Sequence, residues 1–168
     1  VFDTIIETLG TKITHKFLKN LHSSLMFNTT LHSKGFAGIY KTIPNMIIGT
    51  NAKVSQPFEV EPKLDELLEW YYNLDNISLE NVTLDDIAEF HYRFELIHPF
   101  QDGNGRIGRF LMLKQMLENN LPLVIVSWDT EDLYRNSLNL CSIGNYSSLS
   151  TYLKSLTDFR EDYKEFWC

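Results

Sequence analysis

A short polar segment between two apolar helical patterns carries residue types that suit phosphate chemistry. It reads His98 Pro99 Phe100 Gln101 Asp102 Gly103 Asn104 Gly105 Arg106 Ile107 Gly108 Arg109. Gly103 and Gly105 flank Asn104 and allow the backbone N–H groups to face inward as an anion nest. The helix that follows presents its own free N–H groups in the same direction. The segment therefore predicts an anion-binding site.

Two arginines follow the glycines at a spacing of one helical turn. Arg106 and Arg109 are expected in the first turn of the second helix, where side chains lean back toward the N-terminus. The helix macrodipole disfavours cations at this end, so the pair costs stability unless an anion lies between them. A breach of local preference of this kind is typical of a functional site.

A carboxylate and an imidazole complete the chemistry of the segment. Asp102 offers a hard oxygen ligand for a Mg²⁺ ion that also contacts phosphates, since Mg²⁺ typically takes one or two protein carboxylates. His98 is expected to titrate near neutral pH, as histidines ordinarily do, and can take a proton from an attacking hydroxyl group. The segment thus contains an anion site, a metal ligand and a general base.

Each of these residues also has an ordinary structural explanation. The Asp-Gly-Asn-Gly stretch alone is a common turn, Asp102 alone could cap a helix, and a histidine on an apolar face is more often a core residue. A two-histidine metal site of His91 and His98 with Asp102 is a further alternative. Two helical turns separate the histidines by roughly 10 Å, so a core role is favoured for His91.

The flanking patterns place the segment between two helices. Thr83 predicts an N-cap, and apolar or histidine residues then recur every three or four positions as far as His98. Pro99 disfavours the α conformation at His98, so this helix should end there. The second helix is predicted from about Arg106 to Leu117 and is apolar nearly all round.

The remaining patterns predict an all-α helical bundle around one central helix. Further helices are expected where apolar residues have helical spacing, at Ile13–Leu25, Pro62–Tyr72, Leu133–Leu140 and Leu149–Phe159. Short apolar runs at Ile39–Tyr40 and Met46–Ile48 flank a turn at Pro44 and Asn45, which predicts a small β-hairpin as an appendage.

Composition limits the class of protein. The 168 residues suffice for one domain, and a net charge of −7 argues against nucleic-acid binding. No apolar run is long enough for a membrane span and no signal peptide is recognised, so we expect a soluble, cytoplasmic protein without a membrane partner. The two cysteines have no metal-ligand spacing. The chain begins with Val rather than Met, which suggests that an upstream segment is missing.

The segment 98–109 resembles the motif of the Fic family, and every fixed position of that motif is present. The motif is His Pro Phe, any residue, Asp or Glu, Gly Asn Gly Arg, any two residues, Arg. The likeness extends from about Gly38 to Leu153 within a single domain of residues 1–168, and it includes a flap, residues 38–49, that starts with Gly-x-Tyr-Lys. The resemblance implies an all-α fold with a β-hairpin flap.

The resemblance also implies an activity. Fic proteins that act as protein adenylyltransferases transfer AMP from ATP to a Ser, Thr or Tyr hydroxyl group of a target protein, with Mg²⁺ and release of pyrophosphate. Carried over by position, His98 is the base, with Asn104 assisting the anion site that Gly103, Asn104 and Gly105 form. Asp102 holds the metal, Arg106 and Arg109 bind phosphates, and Tyr134 lines the nucleotide pocket. Ile47, Ile48 and Gly49 would align the target segment, and Ser142 replaces an asparagine that relatives often carry.

Many Fic proteins also carry an inhibitory helix whose glutamate pairs with the second arginine of the motif. The chain has no complete copy, because Asp162 ends the stretch Thr157 Asp158 Phe159 Arg160 Glu161 Asp162 where Gly or Asn is expected. That stretch is either regulatory or simply a charged helix end. An upstream segment or an inhibitory partner protein, an antitoxin, could supply the motif instead.

Three functions remain open from the sequence, and AMP transfer leads. Gly105 favours it over relatives that carry Lys at this position and act as kinases. The same segment could transfer another nucleotidyl or phosphoryl group, or remove AMP, because it recognises phosphates and not bases. A non-catalytic module that binds a nucleotide or a partner is disfavoured, because such a role would not need the base.

Overall fold

The computed structural model describes residues 1–47, 52–73 and 82–162 of the chain. Helices dominate these residues, and a 3-10 turn precedes two of them, at Pro57–Glu59 and Trp128–Thr130. The helices are α1 Phe2–Glu7, α2 His15–Met26, α3 Thr30–Ser33, α4 Val60–Asn73, α5 Leu84–Ile97, α6 Asn104–Glu118, α7 Glu131–Asn139, α8 Ser147–Ser155 and α9 Phe159–Asp162. The predicted all-α fold is confirmed.

Helix α5 begins where local chemistry predicts it. Thr83 caps the helix, with its Oγ1 accepting from the Asp86 backbone N–H, while an Asp86 carboxylate oxygen accepts from the Thr83 N–H at 2.8 Å. This capping box satisfies two N–H groups that the helix itself cannot bond. Asp85 and Asp86 also place negative charge in the first turn, where it stabilises the macrodipole.

The centre of the fold is the pair α5 and α6. Helix α5 packs against α4, α6 and α8, and α6 also packs against α1 and α2. Tyr71 of α4 meets Phe90 of α5 edge to face, with ring centroids 5.1 Å apart. Phe94 of α5 and Leu111 of α6 are fully buried in the same apolar cluster. The polar segment between α5 and α6 is therefore held at both ends by buried helices.

Gly108 marks a close approach between α5 and α6. A Cβ atom at Gly108 would lie 2.6 Å from Glu95 Oε1 and 2.7 Å from His91 Cε1, whereas one at Gly105 would lie 3.6 Å from its nearest neighbour, Arg109 Nη1. Contacts under 3 Å require the Glu95 and His91 side chains, or the helix that carries them, to shift, whereas 3.6 Å is ordinary van der Waals contact. Only glycine therefore fits at position 108 without rearrangement.

The first testable prediction is that Gly108→Ala destabilises the protein. Overpacking costs roughly 1–3 kcal/mol, and the higher helix propensity of Ala offsets only about 0.8–1.0 kcal/mol of this. Urea denaturation should therefore show a lower free energy of unfolding for Gly108→Ala. Gly105→Ala is the matched control and should be no less stable than the natural chain. Equal stability of the two variants would contradict this view of the helix contact.

The other predicted helices are present with shifted ends. The helix predicted from Pro62 starts at Val60 behind a 3-10 turn, and the one predicted from about Arg106 starts at Asn104. The last predicted helix ends at Ser155, four residues early, and a separate short turn of helix follows at Phe159–Asp162. The short helix α1 was not predicted.

The expected β-hairpin does not appear among the described residues of the flap. Tyr40 forms an isolated antiparallel bridge with Phe100 rather than pairing with the run at Met46, and the Lys41 backbone N–H donates to Pro99 O at 2.8 Å. The buried Lys41 ammonium donates to Asn45 Oδ1 at 2.8 Å and to Ile97 O, at the end of α5, at 3.3 Å. The first half of the flap is thus bonded to the polar segment.

The second half of the flap is only partly described. Ile47 lies in a loop, and Ile48 and Gly49 lie outside the described residues, so their predicted role in aligning a target segment stays a prediction. Among the described residues, no helix is both long enough and apolar enough to cross a membrane.

Candidate active site

His98 occupies the position directly after the last residue of α5. Its backbone is left-handed, with φ 50° and ψ 58°, and its N–H donates to Phe94 O at 3.0 Å. This conformation costs free energy for a residue other than glycine, so the surrounding packing must hold His98 in place. The predicted end of the helix at His98 is confirmed, and the physical reason is the following Pro99.

The hydrogen bonds of His98 determine which ring nitrogen can act as a base. Nδ1 lies 3.2 Å from the backbone oxygen of Glu95, which can only accept, so we assign the proton of the neutral ring to Nδ1. Burial lowers the pKa of His98 to about 4, below the near-neutral value expected from the sequence, and this keeps the ring neutral at physiological pH. Nε2 is then unprotonated and available to take a proton.

Asn104 holds the loop through both ends of its side-chain amide. Its Oδ1 accepts from the Phe100 N–H and its Nδ2 donates to the Phe100 carbonyl, both at 2.8 Å. The side chain is buried, and it hydrogen-bonds both the N–H and the carbonyl group of the Phe100 backbone. The amide thus fixes the turn, and the predicted assistance of Asn104 to the anion site stays a prediction.

His22 of α2 supports the same loop and was not identified from the sequence. Its Nδ1 accepts from the Gly38 N–H at 2.9 Å, so the proton is on Nε2, which donates to the Asp102 carbonyl at 3.0 Å. The ring also stacks on Phe100 at 3.9 Å between centroids. No sequence signal marked it, because a histidine within an apolar helical stripe looks like an ordinary core residue.

We expect His22→Phe to destabilise the protein by roughly 1–3 kcal/mol, because the Gly38 N–H and the Asp102 carbonyl lose their partners while ring stacking is kept. Urea denaturation monitored by circular dichroism measures the effect. The exposed His32 provides the matched control, and His32→Phe should leave the free energy of unfolding nearly unchanged. A His22→Phe variant as stable as this control would show that the two hydrogen bonds contribute little.

The two arginines of the motif differ in their partners. Arg106 lies 3.5 Å from an Asp102 carboxylate oxygen. Arg109 has no carboxylate within 4.0 Å among the residues that the structure describes, although each of the other four arginines has one within 3.5 Å. Its guanidinium lies 5.8 Å from the centre of the Tyr134 ring. Among the described residues, Arg109 is therefore the arginine without a carboxylate partner, and it is available to bind an anionic ligand.

Asp102 lies at the rim of the site with its side chain 62% exposed. Its Oδ1 accepts from the Gly103 N–H at 2.6 Å, which leaves lone pairs on both oxygens for a ligand. No group of three or more His, Cys, Asp or Glu side chains suited to a metal lies within the described part of the chain. A single exposed carboxylate fits Mg²⁺ that arrives with phosphate oxygens and water as its other ligands.

A pocket of about 530 Å³ brings most of the predicted residues together. Gly103 is left-handed, with φ 81°, and precedes the first residue of α6, so the N–H groups of that helix face this space. The predicted site residues that line the pocket are Ile47, His98, Asp102, Gly103, Asn104, Gly105, Arg106, Arg109 and Tyr134. Ser142 is not among the lining residues, and Asn139, Leu138 and Tyr92 line this side instead.

His91 is a core residue. It is fully buried, and its Nε2 lies 2.5 Å from the Tyr134 hydroxyl. Desolvation lowers its pKa, which keeps the ring neutral. The alternative of a two-histidine metal site is therefore not supported, and the observed contact gives His91 the task of orienting Tyr134.

The incomplete inhibitory stretch lies at the other end of α6. The Phe159 N–H donates to Leu123 O at 2.8 Å, and the Arg160 guanidinium donates to Leu121 O at 3.0 Å. Leu121 and Leu123 follow the C-terminus of α6, whereas Arg109 lies near its N-terminus. These contacts favour the interpretation as a charged helix end and do not bring Glu161 to Arg109.

Comparisons with known proteins find related sequences among protein adenylyltransferases. Protein adenylyltransferase Fic-1 of Caenorhabditis elegans is 29% identical over 106 residues, which cover 63% of this chain and 20% of that protein. A probable protein adenylyltransferase of Aquifex aeolicus is 33% identical over 82 residues, or 49% of this chain and 24% of the relative. The chain thus spans about a fifth to a quarter of the length of these relatives.

Solved structures with Fic domains share the fold. A Fic-domain signaling protein of Bacteroides thetaiotaomicron superposes with a TM-score of 0.76 at 22% identity, over 92% of this chain and 63% of that one. The BepC effector of Bartonella tribocorum, solved with bound AMPPNP, superposes with a TM-score of 0.65 at 16% identity, over 92% and 81% of the two chains. The Fic/DOC family profile matches residues 12–116, and the chain belongs to this family.

Proposed function

We propose that this domain is a protein adenylyltransferase, which transfers AMP from Mg²⁺-ATP to a Ser, Thr or Tyr hydroxyl group of a target protein. The proposal is carried by one arrangement, in which the neutral imidazole of His98, the N-terminus of α6 and the unpaired guanidinium of Arg109 share one pocket. The names of the relatives, which are protein adenylyltransferases, support it.

The reaction consists of one displacement at phosphorus. The target oxygen bonds to the α-phosphorus of ATP as the bond from that atom to the pyrophosphate oxygen breaks. Nε2 of His98 takes the hydroxyl proton during this attack. General-base catalysis is expected because the ring is neutral at physiological pH and lies in the same pocket as the phosphate site. Pyrophosphate is the leaving group, and Arg106, Arg109 and a bound Mg²⁺ would balance its negative charge.

The phosphate contacts follow from the same geometry. The N–H groups at Gly103, Asn104 and Gly105 and the N-terminus of α6 offer donors to phosphate oxygens. Arg109 offers a planar fork that matches two phosphate oxygens, and Arg106 can exchange its contact with Asp102 for one with a phosphate. Mg²⁺, held by Asp102 with the nucleotide, would neutralise phosphate charge.

The nucleoside is assigned to the side of the pocket that α5 and α7 form. Tyr134 and Leu138 of α7 and Tyr92 of α5 provide ring and apolar surface there, which suits a stacked base. The Asn139 amide on the same side carries both a donor and an acceptor for the base edge. A target segment would then enter from the side of Met46 and Ile47.

The proposal is tested by incubating the purified chain with Mg²⁺ and ATP labelled at either the α or the γ phosphorus. A cell lysate serves as the source of targets, and gel electrophoresis detects labelled protein. Label from the α position alone supports AMP transfer. Label from the γ position would make the domain a kinase, and an unlabelled lysate with a chain that also fails to bind ATP would refute the proposal.

A further inference from the structure

The buried carboxyl group of Glu95 lines the pocket and is not used in the proposed transfer of AMP. Glu95 lies on α5 one turn before His98, and its side chain is 11% exposed. Its Oε1 is shielded from solvent and has no hydrogen-bond partner among the residues that the structure describes. An unpartnered buried carboxyl oxygen is costly. Packing alone therefore does not explain why an acid stands here.

The carboxyl group lies beside the base. Glu95 Oε2 is 3.9 Å from His98 Nδ1, the nitrogen whose proton bonds to the backbone oxygen of Glu95. When Nε2 takes a proton, the ring becomes a cation that shares its charge with Nδ1. Both side chains are largely shielded from solvent, at 13% exposure for His98 and 11% for Glu95, so a carboxylate at this distance interacts strongly with that cation.

The geometry points to Glu95 as a positioning residue for His98, whose carboxylate stabilises the imidazolium that forms when Nε2 takes the proton of the target hydroxyl. This inference rests on the proposed function. Glu95 acts through His98 and need not touch ATP or the target. The arrangement has the logic of a Ser-His-Asp triad, in which a buried carboxylate stabilises the imidazolium without taking its proton.

Titratable or charged groups from three helices face Glu95. On α5 itself, His91 Nε2 lies 4.0 Å from Glu95 Oε1, and His98 lies on the other side. Arg109 of α6 lowers the pKa of Glu95, and Tyr134 of α7 contributes a neutral hydroxyl. Burial outweighs the effect of Arg109 and raises the pKa of Glu95 to about 7.

The pKa values of Glu95 and His98 predict how the reaction rate depends on pH. His98, with its pKa lowered to about 4, is already neutral well below pH 7. Glu95 loses its proton only as the pH rises through about 7, and its ionised form is the one that stabilises the imidazolium. The rate should therefore rise through this range. The charges of Lys41 and Asp102 also affect the pKa of His98, but substitutions at Glu95 and Glu89 leave both charges in place.

The experiment compares the natural chain with Glu95→Gln, which keeps the size of the side chain and removes its charge. Transfer from α-labelled ATP is measured from about pH 5 to pH 9 to give kcat and the KM for ATP at each pH. Glu89→Gln is the matched control, since Glu89 lies on the same helix and pairs with Arg93 outside the pocket. Every variant is tested as the full chain.

We expect Glu95→Gln to lower kcat about 10- to 100-fold above pH 7 with little change in the KM for ATP. The rise in rate through about pH 7 should disappear in Glu95→Gln and persist in Glu89→Gln. An unchanged kcat overturns the inference. So does a lower kcat that keeps the same pH profile, because that result indicates packing, and so does an effect confined to the KM for ATP.

A second readout separates this inference from the proposed function. If the natural chain transfers no AMP, the proposed function fails, and NMR titration of the His98 ring still measures its coupling to Glu95. In the natural chain the ring signals should shift as the pH passes about 7, and in Glu95→Gln this step should be absent. Identical titration curves for the two proteins would overturn the inference.

Discussion

His98→Ala is expected to reduce AMP transfer at least ~100-fold while leaving ATP affinity nearly unchanged, because a general base contributes about 10²- to 10⁴-fold. The variant removes the nitrogen that takes the hydroxyl proton. The N-terminus of α6 and Arg109, which we propose as phosphate contacts, stay in place. Transfer from α-labelled ATP measures the rate, and isothermal titration calorimetry measures nucleotide affinity.

The controls must account for the backbone at position 98. Because His98 is left-handed, with φ 50°, alanine there adds some strain, whereas asparagine adopts this conformation readily. His98→Asn therefore tests the loss of the base with the helix end preserved, and His32→Ala controls for the loss of an exposed histidine. Transfer by His98→Asn at the natural rate would show that His98 is not the base.

Several features of the site could be predicted because their causes are local in the sequence. Pro99 restricts the residue before it, so the end of α5 at His98 follows from two neighbouring residues. Thr83 and Asp86 form a capping box within four positions. The turn at Gly103 needs only a residue that tolerates a positive φ, which the structure gives as 81°.

Other features depend on contacts between segments far apart in the sequence, and no local pattern marks them. His22 reaches Asp102 across 80 positions. Tyr40 pairs with Phe100 and not with the nearby run at Met46, so the expected hairpin does not form among the described residues. No sequence signal distinguishes Glu95 from any other polar residue of an amphipathic helix, and only the packing against α6 shows that it is buried beside the base.

Asn104 contributes to the site through contacts that its motif position alone did not specify. The resemblance implied that it assists the anion site. The structure shows that both ends of its amide are used by Phe100, so its contribution is to hold the backbone N–H groups in position. A turn that is already rigid binds an anion at a lower cost in conformational entropy.

The unpaired cation of the pocket leads to the other large expected effect. Arg109→Ala should raise the Kd for ATP about 10- to 100-fold, since hydrogen bonds to charged groups are worth about 1.5–3 kcal/mol. Arg109→Lys should recover only part of this affinity, because an ammonium keeps the charge without the planar fork that grips two phosphate oxygens. Calorimetry measures both values.

Stability without nucleotide distinguishes this role from a structural one. Arg109 has no carboxylate within 4.0 Å among the described residues, so Arg109→Ala breaks no close ion pair there. It does remove the contact with Tyr134 and the longer-range attraction to Glu95, so the free energy of unfolding should fall by about 0.5–1.5 kcal/mol. The stabilisation that ATP adds to the natural chain should be largely lost. Arg93→Ala is the matched control, because Arg93 pairs with Glu89 and lies 4.6 Å from the Trp70 ring, outside the pocket, so it should lose a similar amount of stability and keep the stabilisation that ATP adds. If Arg109→Ala kept full ATP affinity, the phosphate would have to be bound by the α6 N-terminus without this guanidinium.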